Sequence, residues 1–278
     1  MKKLLTMLLA LSMVLSLAAC GGTTDDAPDS GEGDGPTDAQ TADSDLAYVQ
    51  GKGTLVVGMT DFAPMDYKEE GSDEWIGFDA DMAKAFAESL GVTVEFIEIN
   101  WDNKVFELEG KGIDVVWNGM TLTDDVKSLM GTSEPYCLNG QVVVVPADKA
   151  DQYQTVESLS DLSFAVENGS AGAEQLDALG IPYTAMDTQA RALMEVASGA
   201  SDACVIDLLM AGAMIGEGTS YSDLTYTVQL NSEEYGVGFR KGSDLVDAFN
   251  SFWKEAYDAG TVMEIATTYG VQESVIEK

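Results

Sequence analysis

From residue 54 to residue 256, short β-branched runs alternate with segments of helical period, and this alternation restricts the chain to parallel α/β sheets flanked by helices. Residues 54–58 read as a strand. Phe78, Met82, Phe86 and Leu90 follow at intervals of four, on one helical face that Gly91 ends. Residues 92–99 predict a second strand, 101–110 a short helix, and 113–117 a third strand that stops at Asn118-Gly119. Thr123 then caps another helix. A bare strand over 141–145, halted by Pro146, precedes a restart of the pattern. Strands are expected at 163–167, 202–206, 224–230 and 235–239. Helices are expected at 170–179, along the face of Ala190, Leu193, Met194 and Ala197, after Asp207, and along Leu245, Ala248, Phe249, Phe252 and Ala256. Two such blocks joined by one strand predict two lobes.

The N-terminus carries a different signal. Met1-Lys2-Lys3 precedes an apolar run over 4–17, which reads as an export signal and is shorter than the roughly 20 residues of a membrane span. It closes on Leu17-Ala18-Ala19-Cys20-Gly21, which resembles the bacterial lipobox. That resemblance implies a signal peptide over 1–19, lipidation of Cys20 and a cell-surface protein anchored to the membrane. From Gly21 to Asp45 the chain is mostly Gly, Asp, Thr, Ser, Pro and Ala with almost nothing apolar, so a disordered acidic tether is expected over 20–46.

The formal net charge of −34, with 14 Lys and Arg against 48 Asp and Glu, excludes nucleic acid as a natural partner. The absence of histidine removes histidine-based catalysis and the usual zinc sites. Cys204 stands in an apolar run and reads as a buried free thiol; Cys137 follows a tyrosine, and nothing forces the two to pair. Without a C-x-x-C spacing, no metal or cofactor is expected. The acids Glu69, Glu70, Asp73 and Glu74 read as a surface loop, and Met82, Met194, Met210 and Met214 as core.

Four stretches carry a resemblance. They are Gly58-Met59-Thr60-Asp61-Phe62-Ala63-Pro64, Gly77-Phe78-Asp79-Ala80-Asp81-Met82, the run from Gly112-Ile113-Asp114 through Asn118-Gly119-Met120-Thr121-Leu122-Thr123, and Tyr235-Gly236-Val237-Gly238-Phe239-Arg240-Lys241-Gly242. In this order and spacing the chain from 53 to 270 resembles the family 3 solute-binding proteins of ABC importers, the polar amino acid receptors. The resemblance implies a type II periplasmic-binding fold of two mixed, mostly parallel α/β lobes with a cleft between them. Residues 47–143 and 233–278 would form the first lobe, 147–230 the second, and 142–146 with 231–235 the hinge strands. The partners implied are a small zwitterion such as an amino acid and an ABC permease, with the receptor itself a monomer. Lobe closure over the ligand would be a hinge motion.

The same resemblance marks site residues. Phe62 and Trp101 would offer aromatic faces able to hold a side chain or a cation, the alternative being core packing. Asn118, Gly119 and Thr121 would hold the α-amino and α-carboxylate groups, the alternative being a turn and cap. Gly169, Ser170 and Ala171 open a helix whose N–H groups suit an anion, or they form an ordinary strand–helix turn. Asp207 would pair with the ligand's ammonium or cap the next helix. One position departs from the family: after Thr121-x-Thr123 it usually reads acid-acid-arginine, the arginine clamping the carboxylate, and here Asp124-Asp125-Val126-Lys127 stands. Lys127 is turned about 100° away on a helix, Arg240 matches a surface turn, and Arg191 reaches in only from the cleft rim. The carboxylate is therefore expected on the N–H groups of Ser170 and Ala171, with Thr121 and the Ser170 hydroxyl. Two other functions share this fold. One is a ligand-binding sensor component. The other is a dehydratase-like enzyme with Asp207 or Glu167 near its substrate, for which no nucleophile–base pair is legible.

Overall fold

Thr54–Met59 (β1) is buried from its second residue onward because parallel strands cover both of its edges. Thr93–Glu98 (β2) lies on one side and Val115–Thr121 (β3) on the other, both parallel to it. The computed structural model describes residues 44–278. The expected signal peptide and Cys20 lie outside those residues, as does most of the tether. Glu233–Phe239 (β11) runs antiparallel to β3, to Gly131–Thr132 (β4) and to Cys137–Asn139 (β5), completing the first sheet. The second sheet has the order Leu224–Gln229 (β10), Gln141–Pro146 (β6), Ala203–Asp207 (β9), Phe164–Glu167 (β7), Tyr183–Met186 (β8). Its β9, β7 and β8 are parallel. The first sheet is thus drawn from both ends of the described chain and the second from its middle.

The chain passes between the sheets at Gly140 and again near Asn231 and Ser232. The strand expected as a hinge, 142–146, instead lies inside the second sheet, bonded to β9 on one edge and β10 on the other. The reason is visible in Val142, Val143, Val144 and Val145, which are all fully buried. A crossing strand could not cover both faces of such a run.

Helices cover the first sheet: Asp45–Lys52 (α1), Phe78–Ser89 (α2), Lys104–Glu109 (α3), Asp124–Leu129 (α4), Leu245–Asp258 (α8) and Thr261–Thr268 (α9). Ala171–Leu179 (α5), Gln189–Ser198 (α6) and Leu208–Met214 (α7) accompany the second. The tether does not run to residue 46. Ser44 accepts from the Ala47 N–H at 3.0 Å and caps α1, and Asp45 pairs with Arg240 Nε at 2.9 Å. Arg240, expected in a surface turn, is therefore largely covered, its side chain 11% exposed, with Asp114 3.5 Å away on its other side. A second expectation also changes: Met194 is 53% exposed, because the buried face of α6 is Gln189, Ala192, Leu193 and Val196. Met82 and Met210 do lie in the core. Cys137 and Cys204 are buried free thiols in different sheets.

An aromatic cluster anchors the end of β3. Trp117 meets Phe249 of α8 with ring centroids 4.9 Å apart, Tyr136 meets Trp253 at 4.9 Å, and Phe86 of α2 meets Phe249 at 5.5 Å. Such pairs add about 0.5–1.5 kcal/mol each beyond their buried area. Trp117 directly precedes Asn118, so this packing holds the cleft-facing end of the strand. β3 also runs further than the sequence suggests: it continues through Asn118 and Gly119 to Thr121, paired to β11. Gly77, at φ +128°, starts α2 where an added Cβ would lie 2.1 Å from the Met65 carbonyl oxygen, so only glycine fits. Among the described residues no helix is long and apolar enough to cross a membrane.

Candidate functional site

The carboxyl ends of β3, β7 and β9 converge on one cleft between the sheets, the place where such sheets bind ligands. Of the residues marked from sequence, Trp101, Asn118, Gly119, Thr121, Gly169, Ser170, Ala171 and Asp207 line it together. Lys104, Val126, Gln141, Glu167, Glu174 and Gln189 complete most of the wall. The space between protein atoms there is about 430 Å³, part of it open to solvent. Phe62 is not among the lining side chains. It lies beneath the floor, 2% exposed, edge-on to Tyr235 at 6.4 Å and against Gly119, where an added Cβ would come within 2.5 Å of its ring.

The two walls touch. Lys104 Nζ, from the first lobe, donates to the Gly169 carbonyl of the second at 3.0 Å and to the Trp101 carbonyl at 3.2 Å. Thr123 Oγ1 donates to Glu174 Oε1 at 3.4 Å. Gly169 has φ +69°, and a Cβ there would stand 2.7 Å from the Asp102 carboxylate, so glycine is required on two counts.

Asn118 and Gly119 already spend their polar groups on the scaffold. Asn118 Oδ1 accepts from the Thr60 N–H at 3.0 Å and hydroxyl at 2.9 Å, while its Nδ2 donates to the Thr60 carbonyl at 3.0 Å and Asp66 at 2.8 Å. The Gly119 N–H donates to Asp79 Oδ2 at 2.6 Å. Both residues shape the floor, and neither offers a free donor from these groups. The Thr121 hydroxyl donates to Glu233 at 2.8 Å and keeps its lone pairs.

The opposite wall holds free donors. Ser170 Oγ accepts from the Ala173 N–H at 3.1 Å, leaving its own proton to give. Ala171 is the first residue of α5, where the backbone N–H has no helical partner. Across from them, on the first-lobe wall, Lys104 is 9% exposed and has used two of its three donors.

Asp207 makes no capping bond to α7. Its carboxylate accepts from Gln141 at 2.8 Å, from the Tyr235 hydroxyl at 2.9 Å, and from Asn139 and Gln189. Asn139 and Gln141 also donate to Glu233, each at 2.7 Å, so the amides hold two acids in place where the chain crosses between the sheets. Glu167, at the end of β7, is 2% exposed, and its Oε1 has no hydrogen-bond partner.

Burial pushes Asp207 up to about 7, with the charge of Glu233 adding and the Gln189 and Tyr235 donors opposing. Burial pushes Glu167 up to about 8, with Asp207 adding and Lys104 opposing. Burial lowers Lys104, against the neighbouring acids. Each raised carboxyl binds its proton more tightly folded than unfolded. Its stability contribution is complete below the ordinary values of 3.8 and 4.5 and is lost as pH rises through about 7–8. The melting temperature of the ligand-free protein should therefore fall from pH 5 to pH 8. Glu167→Gln should make the fall shallower, by on the order of 2 kcal/mol. Calorimetry at four pH values tests this; parallel profiles for the two proteins would contradict it.

Sequence reasoning missed Lys104, Gln141, Gln189 and the cleft role of Glu174. Lys104 had a signal, since it lies three residues after Trp101 on a helical stretch and so shares its face. Glu167 had the same signal as Asp207, an acid ending an apolar strand. The two glutamines had none.

Two α/β sheets whose strand ends enclose a polar cleft, with the chain crossing between them twice, define a two-lobed solute receptor. Residues 55–272 match the Bacterial extracellular solute-binding proteins, family 3, and the chain belongs to that family. It is 29% identical over 275 residues to the arginine-binding extracellular protein ArtP of Bacillus subtilis (strain 168), covering 95% of this chain and 96% of that one. It superposes with a TM-score of 0.77 on an ABC uptake transporter substrate-binding protein from Streptococcus pneumoniae with bound histidine, at 27% identity, over 85% of this chain and 100% of that one. For the P235GK mutant of ArgBP from T. maritima the TM-score is 0.75 at 32% identity, over 81% and 98% of the two chains.

Proposed function

We propose that this protein is the extracytoplasmic receptor of an ABC importer, and that its solute is an amino acid. The observation carrying this reading is the polarity of the cleft: on the second-lobe wall the Ser170 hydroxyl and the Ala171 N–H stand beside the carboxylates of Glu167, Glu174 and Asp207, and Lys104 faces them from the first lobe. An α-carboxylate would rest on the Ala171 N–H, the Ser170 hydroxyl and the third donor of Lys104, which supplies the charge that Val126 lacks. An α-ammonium would meet Asp207 and the lone pairs of Thr121. Trp101 would cover the aliphatic part of the solute, while Phe62, Asn118 and Gly119 support the floor. Contacts from Lys104 to Gly169 and from Thr123 to Glu174 would fasten the lobes over the solute, and parting them about Gly140 and Asn231 would release it to the permease. Attachment through a lipid on Cys20 fits the same role, and mass spectrometry of the membrane-extracted protein would show it.

The relatives named for binding arginine and histidine support an amino acid as the solute class. A thermal-shift screen of the purified protein against the common amino acids tests the reading. A solute at 100 times its dissociation constant adds about 2.7 kcal/mol, a rise of several degrees. No shift with any amino acid would overturn the assignment.

A further inference from the structure

The carboxylates of the cleft outnumber what a neutral amino acid can satisfy. Its lining charges are Lys104 on one side and Glu167, Glu174 and Asp207 on the other. Glu174 is exposed and accepts from Thr123. Asp207 is held by four side-chain donors. Glu167 differs from both. It is buried to 2%, it lies beside Thr60 of the first lobe and Gln189 of the second, and its Oε1 has no partner. Among the described residues it forms no ion pair: Lys104 influences it from beyond pairing distance while donating to two carbonyls. A buried acceptor left open destabilises the protein unless something occupies it.

Resting on the amino acid reading above, we propose that Glu167 is the specificity-determining residue of the cleft and receives a second cationic group of the solute, so that the receptor selects amino acids with a positively charged side chain. One acid then serves the α-ammonium and the other the side chain. Three charges on the solute face three in the protein: its carboxylate faces Lys104, and its two cations face Asp207 and Glu167. The Trp101 ring, 7% exposed in the same wall, adds a surface for the planar or alkyl part of such a side chain. The proton that burial keeps on Glu167 near neutral pH leaves when the cation arrives, so binding releases a proton.

Calorimetric titration of the full protein and of Glu167→Gln tests this with L-arginine, L-lysine, L-citrulline and agmatine. Citrulline keeps the shape of arginine without its charge, and agmatine keeps the charge without the carboxylate. Wild type should bind arginine or lysine at least about thirtyfold more tightly than citrulline. Glu167→Gln should remove most of that preference while changing citrulline affinity by less than about threefold. Near pH 7 the wild-type binding enthalpy should differ between phosphate and Tris buffers, and the difference should shrink in the variant. Equal binding of citrulline and arginine, or a preference that survives Glu167→Gln, overturns the role of Glu167 and leaves the amino acid reading intact. Binding of agmatine alone, weakened by Glu167→Gln, upholds Glu167 and overturns the amino acid reading. Failure of all four to bind overturns the role of Glu167, while the amino acid reading stands or falls on the thermal-shift screen.

Discussion

Asp207→Asn weakens solute binding at least about thirtyfold, or roughly 2 kcal/mol, while the protein still folds. The carboxylate stands at the end of β9, buried and fixed by Asn139, Gln141, Gln189 and Tyr235. Those donors remove the reorganisation that a mobile side chain would undergo on binding, so its charge is already aimed when an ammonium enters. An amide in its place keeps the shape, loses the charge, and turns one N–H₂ toward donors. The Gln189 side chain can turn over to accept from it, which limits the loss of stability. Isothermal calorimetry gives the dissociation constant and a circular-dichroism melt gives the fold. A variant that melts lower but binds as tightly as wild type would show that Asp207 only bolts the two sheets together.

Lys104→Met should cost about tenfold to a hundredfold in affinity for a solute with a free carboxylate, and little for its carboxamide. Met keeps the length and apolar stem of lysine, so its packing against Trp101 survives, but the ammonium that lies 4.9 Å from that ring is lost. Val126 lines the same cleft, and Val126→Arg in the Lys104→Met background should restore tight binding of the acid by returning a cation to the anion wall. Calorimetry of the acid and its carboxamide on wild type and both variants measures each step. If acid and carboxamide lose equally, Lys104 acts only through its bond to the Gly169 carbonyl, as a fastening between lobes. If the carboxamide already binds wild type as well as the acid, no carboxylate is read in this cleft.

Much of the lining of the candidate cleft was legible because its residues end predictable elements. Trp101, Thr121, Ser170 and Asp207 each stand where an apolar run gives way to a polar residue, and the parallel α/β pattern brings such ends together. Phe62 carried the same kind of signal and was misplaced. An aromatic after a strand reads alike whether it faces the cleft or the layer below, and only the glycine at 119 sets it below. Val126 was legible as a vacancy in the family's pattern, but its compensation was not. Lys104 lies 22 residues earlier in the chain, on another helix.

The sequence by itself determined the α/β alternation in two lobes, the positions of most strands, the family, and the strand ends that face the cleft. Periodicity reports which side of an element is apolar, and that side must be buried wherever the element packs. Only the tertiary structure decided which polar groups remain free. Gly119 spends its N–H on Asp79, 40 residues away, and Asp207 shares Asn139, 68 residues away, with Glu233. Glu167 meets no partner at all through Oε1. A hydrogen bond depends on atoms within about 3 Å of each other, and separation along the chain carries no information about that distance once the chain crosses twice between two sheets.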